Sequence, residues 1–195
     1  MREPEFTYRF VPVRLRELDA ERGDLLVIPL FEDDCPPSGL AGLVDWRMDG
    51  LLSRIRVATL HPDQENPHYS GLVLGPFAAT VDEKLIFPPG RFLPFRMVMV
   101  YGLGPKARYD GQRYREVARN LLQTLSSMTV AEVALQLPGW SPAGVPARRA
   151  CDVFLTELVA VKRKGLSVPK ALCFIEDLES QAEMEERIRE ILGGR

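Results

Sequence analysis

The chain has 195 residues, 46% of them apolar and 27% charged, with a formal net charge of −2. A length of this order supports one substantial domain with an ordinary hydrophobic core. The near-balance of charge excludes the strong basic field that a nucleic-acid or anionic-membrane partner demands, and no run of five Lys or Arg residues occurs.

FTYRFVPVRL (6–15) alternates at period two and predicts a strand. Pro12 cannot donate to a ladder, which places that strand near a sheet edge. RELDAERGD turns the chain, with room for one helical turn. LLVIPLF (25–31) is a continuous apolar run, as expected of a central strand covered on both faces. A loop, EDDCPPSGLAG, leads to a helix with Ser38 as N-cap. Its apolar positions Leu40, Leu43, Val44, Leu51, Leu52 and Ile55 recur at helical spacing. ATLHPDQENPHYSG (58–71) reads as a surface loop. GLVLGPFAATV and KLIFPPG read as two strands joined around Asp82-Glu83.

FRMVMVYGLG (95–104) predicts a strong strand ending in glycines. Residues 110–128 carry one apolar stripe, from Tyr114 through Val117, Ala118, Leu121, Leu122 and Leu125 to Met128, with Asp110 as cap. VALQL (133–137) predicts a buried strand, 146–163 an amphipathic helix, KALCFIED (170–177) a last strand, and 179–192 an acidic helix. The strict strand–helix alternation from residue 95 implies parallel pairs and right-handed crossovers. The expected fold is a single three-layer α/β domain over residues 1–195, its sheet mixed but mostly parallel, with helices on both faces.

Cys35, Cys151 and Cys173 are odd in number and lack framework spacing, so no disulfide is expected. The charged N-terminus has no secretory h-region. No run approaches the roughly 18 apolar residues of a membrane span. A cytoplasmic location is the default expectation.

Three stretches together resemble a known family. They are GDLLVIPLFEDDCPPSGLAGLVDWRMDGLLSRI, then FRMVMVYGLGPKARYDGQRYREVARNLLQTL, then EVALQLPG with its helix and KALCFIED. In this order they are similar to the N-terminal domain of cytosolic leucyl aminopeptidases, over roughly residues 5–178. That domain is similar in fold to macro domains, which bind ADP-ribose beyond the C-terminal ends of their strands. The resemblance implies a macro-domain-like fold here, and residues 179–195 as a remnant of an interdomain linker. The family's metal-binding carboxylates and its NTDAEGR-type motif have no counterpart, so no aminopeptidase chemistry is carried over.

Three loops are candidate ligand sites. LQLPGWSPAGVPARRA (135–150) runs from a strand through a glycine loop into a helix, the layout that holds phosphates. Gly139, Ser141, Gly144 and Val145 are its prospective backbone donors, and Trp140 a stacking surface. Pro142 and Pro146 remove donors. The competing reading is a plain turn. The second loop is Ser38-Gly39-Leu40-Ala41-Gly42 with Asp45, where small residues permit close approach to a ligand or tight helix packing. The acids Glu32, Asp33 and Asp34 oppose a phosphate there, and the macro-domain Asn-Ala-Asn type motif is absent. The third is Gly102-Leu103-Gly104-Pro105-Lys106, where Lys106 is a prospective anion contact and the glycines also suit a tight strand exit. His61 and His68, with Asp63 and Glu65 between them, lack the fixed directions that zinc demands. No metal, cofactor or catalytic residue is expected.

The resemblance favours a non-catalytic domain acting in self-association or docking to a protein partner. A module binding ADP-ribose or a related nucleotide through loops 139–146 and 38–45 is the alternative. A hydrolase of such a nucleotide, with Asp45 positioning water, ranks third.

Overall fold

A computed structural model describes residues 6–61 and 75–193. In chain order the elements are β1 (Thr7–Pro12), α1 (Leu15–Ala20), β2 (Gly23–Leu30), α2 (Gly39–Arg47), α3 (Leu51–Leu60), β3 (Lys84–Phe87), β4 (Phe95–Gly102), α4 (Gly111–Met128), β5 (Glu132–Leu135), α5 (Ala147–Arg163), β6 (Ala171–Glu176) and α6 (Leu178–Gly193). They build one six-stranded sheet in the order β1-β6-β5-β2-β4-β3. All neighbours are parallel except β3, which runs antiparallel to β4 at one edge.

The continuous apolar strands are explained by burial on both faces. Leu25 and Val27 of β2, Met99 and Tyr101 of β4, Val133 and Leu135 of β5, and Leu172 and Phe174 of β6 point into one core, packed by α4, α5 and α6. The intervening Leu26, Ile28, Val98, Val100, Ala134, Cys173 and Ile175 point into a second core, beneath α1, α2 and α3. Period-two alternation therefore feeds two hydrophobic layers instead of one layer and solvent. The result is a three-layer α/β fold.

Most predicted elements lie where expected. β2 is central, β1 is an edge, and Asp110 caps α4 by accepting the Arg113 N–H at 2.8 Å. Cys151 and Cys173 are buried free thiols, and Cys35 is exposed. Two expectations are corrected. The single helix expected from Ser38 to Ile55 is two helices. Asp49 and Gly50 both adopt left-handed backbone (φ 56° and 71°), and the Gly50 N–H bonds back to the Asp45 carbonyl at 2.8 Å. Tertiary packing of both short helices on the sheet overrides the continuous apolar spacing.

The second correction concerns residues 75–81, which form no strand. Their backbone donors go to side chains instead. The Glu83 carboxylate accepts the Ala78 and Thr80 N–H groups, Thr59 Oγ1 accepts that of Phe77, and Ala79 is left-handed (φ 62°). Those three donors are withheld from a ladder. Most of the loop expected over 58–71 lies outside the described residues, as does His68; residues 58–60 belong to α3, and His61 is its exposed C-cap. Among the described residues no helix is long and apolar enough to cross a membrane, and no group of three or more His, Cys, Asp or Glu residues is placed to hold a metal ion.

Candidate functional site

A cavity of about 250 Å³ opens beyond the carboxyl ends of β2, β4, β5 and β6. In open α/β sheets this is where ligands bind, because loops leaving parallel strands spread apart there. Ser38 and Gly39, Lys106, and Gly139, Trp140 and Ser141 all line it, so the fold brings parts of all three candidate loops to one cavity.

The 138–146 turn is held rigidly from below. The Tyr109 hydroxyl donates to the Pro138 carbonyl at 2.7 Å, and Tyr109 packs edge-on against Phe31 at 4.9 Å. Gly139 sits on these rings with φ 68°. A Cβ there would lie 2.6 Å from Phe31 and 3.0 Å from both Leu103 and Tyr109. Only glycine meets both the backbone conformation and the space. The turn then closes on itself. Gly144 N–H donates to Ser141 O at 3.0 Å and Val145 N–H to Trp140 O at 3.0 Å. These two expected donors are thus consumed internally, and neither residue lines the cavity. The N–H groups of Gly139, Trp140 and Ser141, by contrast, have no acceptor among the described residues.

Across the cavity stands the N-terminus of α2. Ser38 occupies the N-cap position with extended backbone, but its side chain makes no capping hydrogen bond. The Gly39 N–H also lacks an acceptor among the described residues. Gly42 lies a turn deeper. Its N–H bonds to Ser38 O, and a Cβ would meet Pro37 O at 2.8 Å, so its smallness serves packing. Asp45 is turned away from the cavity. It accepts Ser53 N–H at 3.0 Å and Ser53 Oγ–H at 2.5 Å, which caps α3 from the helix before it. No water-positioning role toward the cavity is available to it. Gly104 is left-handed (φ 76°), donates to Ala79 O and accepts from Glu32 N–H, all within the scaffold.

Two of the acids in the segment before α2 are engaged locally. Lys106 Nζ pairs with Asp34, and the Lys106 N–H donates to Asp33 at 2.6 Å. Lys106 also stands over the Phe31 ring at 5.6 Å. Its cation is therefore shared with Asp34 and is not a free anion contact.

Among the cavity residues that the sequence did not single out is a buried acid. Glu176, the last residue of β6, is only 1% exposed. Its Oε1 accepts the Leu137 N–H at 2.7 Å and its Oε2 the Trp140 Nε1–H at 3.3 Å. Burial pushes the carboxyl up to about 8, against the lowering effect of those donors. The available signal was its place: a carboxylate directly continuing the apolar run LCFI. The adjacent Asp177 is held below its ordinary range by Ser180, whose Oγ–H and N–H it accepts at 2.6 and 2.9 Å as it caps α6.

Neither a protein-family model nor a curated protein sequence matches the chain. Solved structures do. A macrodomain of Oceanobacillus iheyensis with MES bound matches at TM-score 0.66 and 11% identity, over 98% of this chain and 95% of that one. The same organism's macrodomain with ADP matches at 0.62 and 12%, over 90% and 87%. The Trypanosoma brucei macrodomain in complex with ADP-ribose matches at 0.63 and 17%, over 93% and 68%. The chain has a macrodomain-like fold.

Proposed function

We propose that the chain binds ADP-ribose or a related nucleotide diphosphate in the cavity at the carboxyl ends of β2, β4, β5 and β6. The observation that carries this reading is the convergence of unpaired backbone donors. The Gly139–Ser141 amides and the uncapped start of α2 belong to residues that line one cavity, and backbone N–H groups at such positions suit a diphosphate. Trp140, fixed by its indole bond to Glu176, forms an aromatic wall beside them.

The acids around the cavity do not defeat an anionic ligand, because each is already engaged. Asp34 is paired with Lys106, Asp177 caps α6, and burial keeps Glu176 protonated at neutral pH. The matched macrodomains that hold ADP and ADP-ribose support the same assignment. Self-association or docking to a protein partner, which the aminopeptidase resemblance favoured, ranks below it. No feature of the described surface converges on a partner as these amides converge on the cavity.

Calorimetric titration with ADP-ribose, and separately with ADP, tests the proposal. Micromolar affinity, roughly −8 kcal/mol, is expected for ADP-ribose. A dissociation constant weaker than about 1 mM, roughly −4 kcal/mol, removes the support for it.

A further inference from the structure

Resting on that nucleotide-binding reading, we propose that the cavity takes up its anionic ligand together with a proton held on Glu176. The geometry of the carboxyl leads here. Both oxygens are occupied as acceptors, by Leu137 N–H and Trp140 Nε1–H, and the group is buried at the end of β6 against the cavity. No Lys or Arg among the described residues lies within ion-pairing distance of it. A carboxylate in this place would be a buried charge without a counter-ion, adjoining the space a phosphate occupies. A carboxylic acid instead carries an O–H that neither Leu137 N–H nor Trp140 Nε1–H can accept, beside the Gln136 side chain on the same cavity wall. A ligand phosphate or hydroxyl oxygen in the cavity supplies the missing acceptor.

The charged and titratable groups facing Glu176 reinforce this from every side. Asp177, next to it, remains ionised through its bonds to Ser180 and disfavours a second negative charge. From the segment before α2 comes Asp34, and from the 3-10 turn after β4 comes Lys106, paired with each other. On α4 the buried Tyr114 hydroxyl is held by Ala150 O and raised well above its ordinary range by burial. On α5 the buried Cys151 thiol is pushed up to about 12. Neither supplies positive charge nor ionises between pH 6 and 9. Burial pushes Glu176 itself up to about 8 before any ligand arrives, and an adjacent phosphate raises it further.

The sign follows directly. Below about pH 7 the group is already protonated and affinity is flat. Above about 8 each binding event draws a proton from solvent, and affinity falls as pH rises, by at most about tenfold per pH unit. ADP-ribose suits the test because its diphosphate is a diester, with no phosphate monoester ionising near pH 6. Calorimetry with ADP-ribose at pH 7, 8 and 9, in pairs of buffers with different ionisation enthalpies, reads both affinity and proton uptake. Wild-type protein is expected to bind about tenfold more weakly at pH 9 than at pH 7, with close to one proton taken up at pH 9. Glu176→Gln is expected to bind with no pH dependence over this range and no uptake. Trp140→Phe, which removes a donor that favours the ionised form, is expected to shift the fall in affinity to higher pH. ADP-ribose binding that is flat with pH and releases or takes up no proton overturns this inference and leaves the nucleotide reading standing. A pH dependence that persists in Glu176→Gln also overturns it. Absence of ADP-ribose binding at every pH overturns both.

Discussion

Gly139 and Gly144 allow the cost of close approach to be separated from the cost of backbone conformation. Both sit in left-handed backbone, at φ 68° and 66°, within the same turn. An alanine at either position bears the penalty of that conformation, about 1–2 kcal/mol. Part of it is offset because alanine also stiffens the unfolded chain, by roughly 0.4–1 kcal/mol. Around Gly144 nothing lies within 4 Å of the added carbon, so Gly144→Ala is expected to cost about 1 kcal/mol or less. At Gly139 the carbon would press on Phe31 at 2.6 Å and on Leu103 and Tyr109 at 3.0 Å. The two aromatic rings are themselves interlocked edge to face and cannot both retreat. Overpacking of that kind adds roughly 1–3 kcal/mol. Urea unfolding of the two variants, with equal slopes, should therefore place the Gly139→Ala midpoint below that of Gly144→Ala by the equivalent of about 1–3 kcal/mol. Coincident midpoints would refute the claim that the turn is seated on the aromatic pair.

Three further outcomes are expected. Glu176 releases its proton at a lower pH in the unfolded chain than in the folded one, so stability falls as pH rises from 4.5 toward about 8 and levels off above. The displacement is worth up to ~5 kcal/mol. Glu176→Gln should thus be about 1 kcal/mol less stable than wild type at pH 5, through the weakened Trp140 bond, and more stable at pH 9; parallel urea profiles at the two pH values would contradict this. Asp45→Ala removes the acceptor of Ser53 N–H and Oγ–H and should lower stability by about 1–2 kcal/mol in denaturant titrations, with ADP-ribose affinity retained. Lys106→Ala strips Asp34 of its counter-ion at the cavity rim, so ADP-ribose binding should weaken several-fold, most at low salt, while unfolding free energy shifts by less than about 1 kcal/mol because the pair is partly exposed.

The strands and helices after residue 95 were legible because their hydrophobic period is dictated by the two cores they feed. Met99 and Tyr101 face one layer while Val98 and Val100 face the other, so the continuous run is buried on both faces. The Met48–Gly50 break was hidden because Leu51 and Leu52 keep helical phase with Leu43 and Val44. The decisive interaction, Asp45 reaching across to Ser53, leaves no periodic trace. The same holds for residues 75–81, whose apolar character suggests a strand but whose donors are captured by Glu83 and Thr59. In the cavity, the glycine loops announced themselves through composition. Which amides stay unpaired, and that Glu176 lies among them, depends on strands that meet only after folding.

Among the described residues β1 is bonded only to β6, with Thr7 opposite Ala171 and Pro12 opposite Glu176. Of the described strands, the first to be synthesised must therefore wait for the last. At ~5–20 residues per second, roughly 8–30 s of synthesis separate the two. Throughout that interval the nascent β1 segment lacks its β6 partner. Products of premature termination before residue 171 keep it orphaned for good, and such fragments are natural clients for chaperones and proteases.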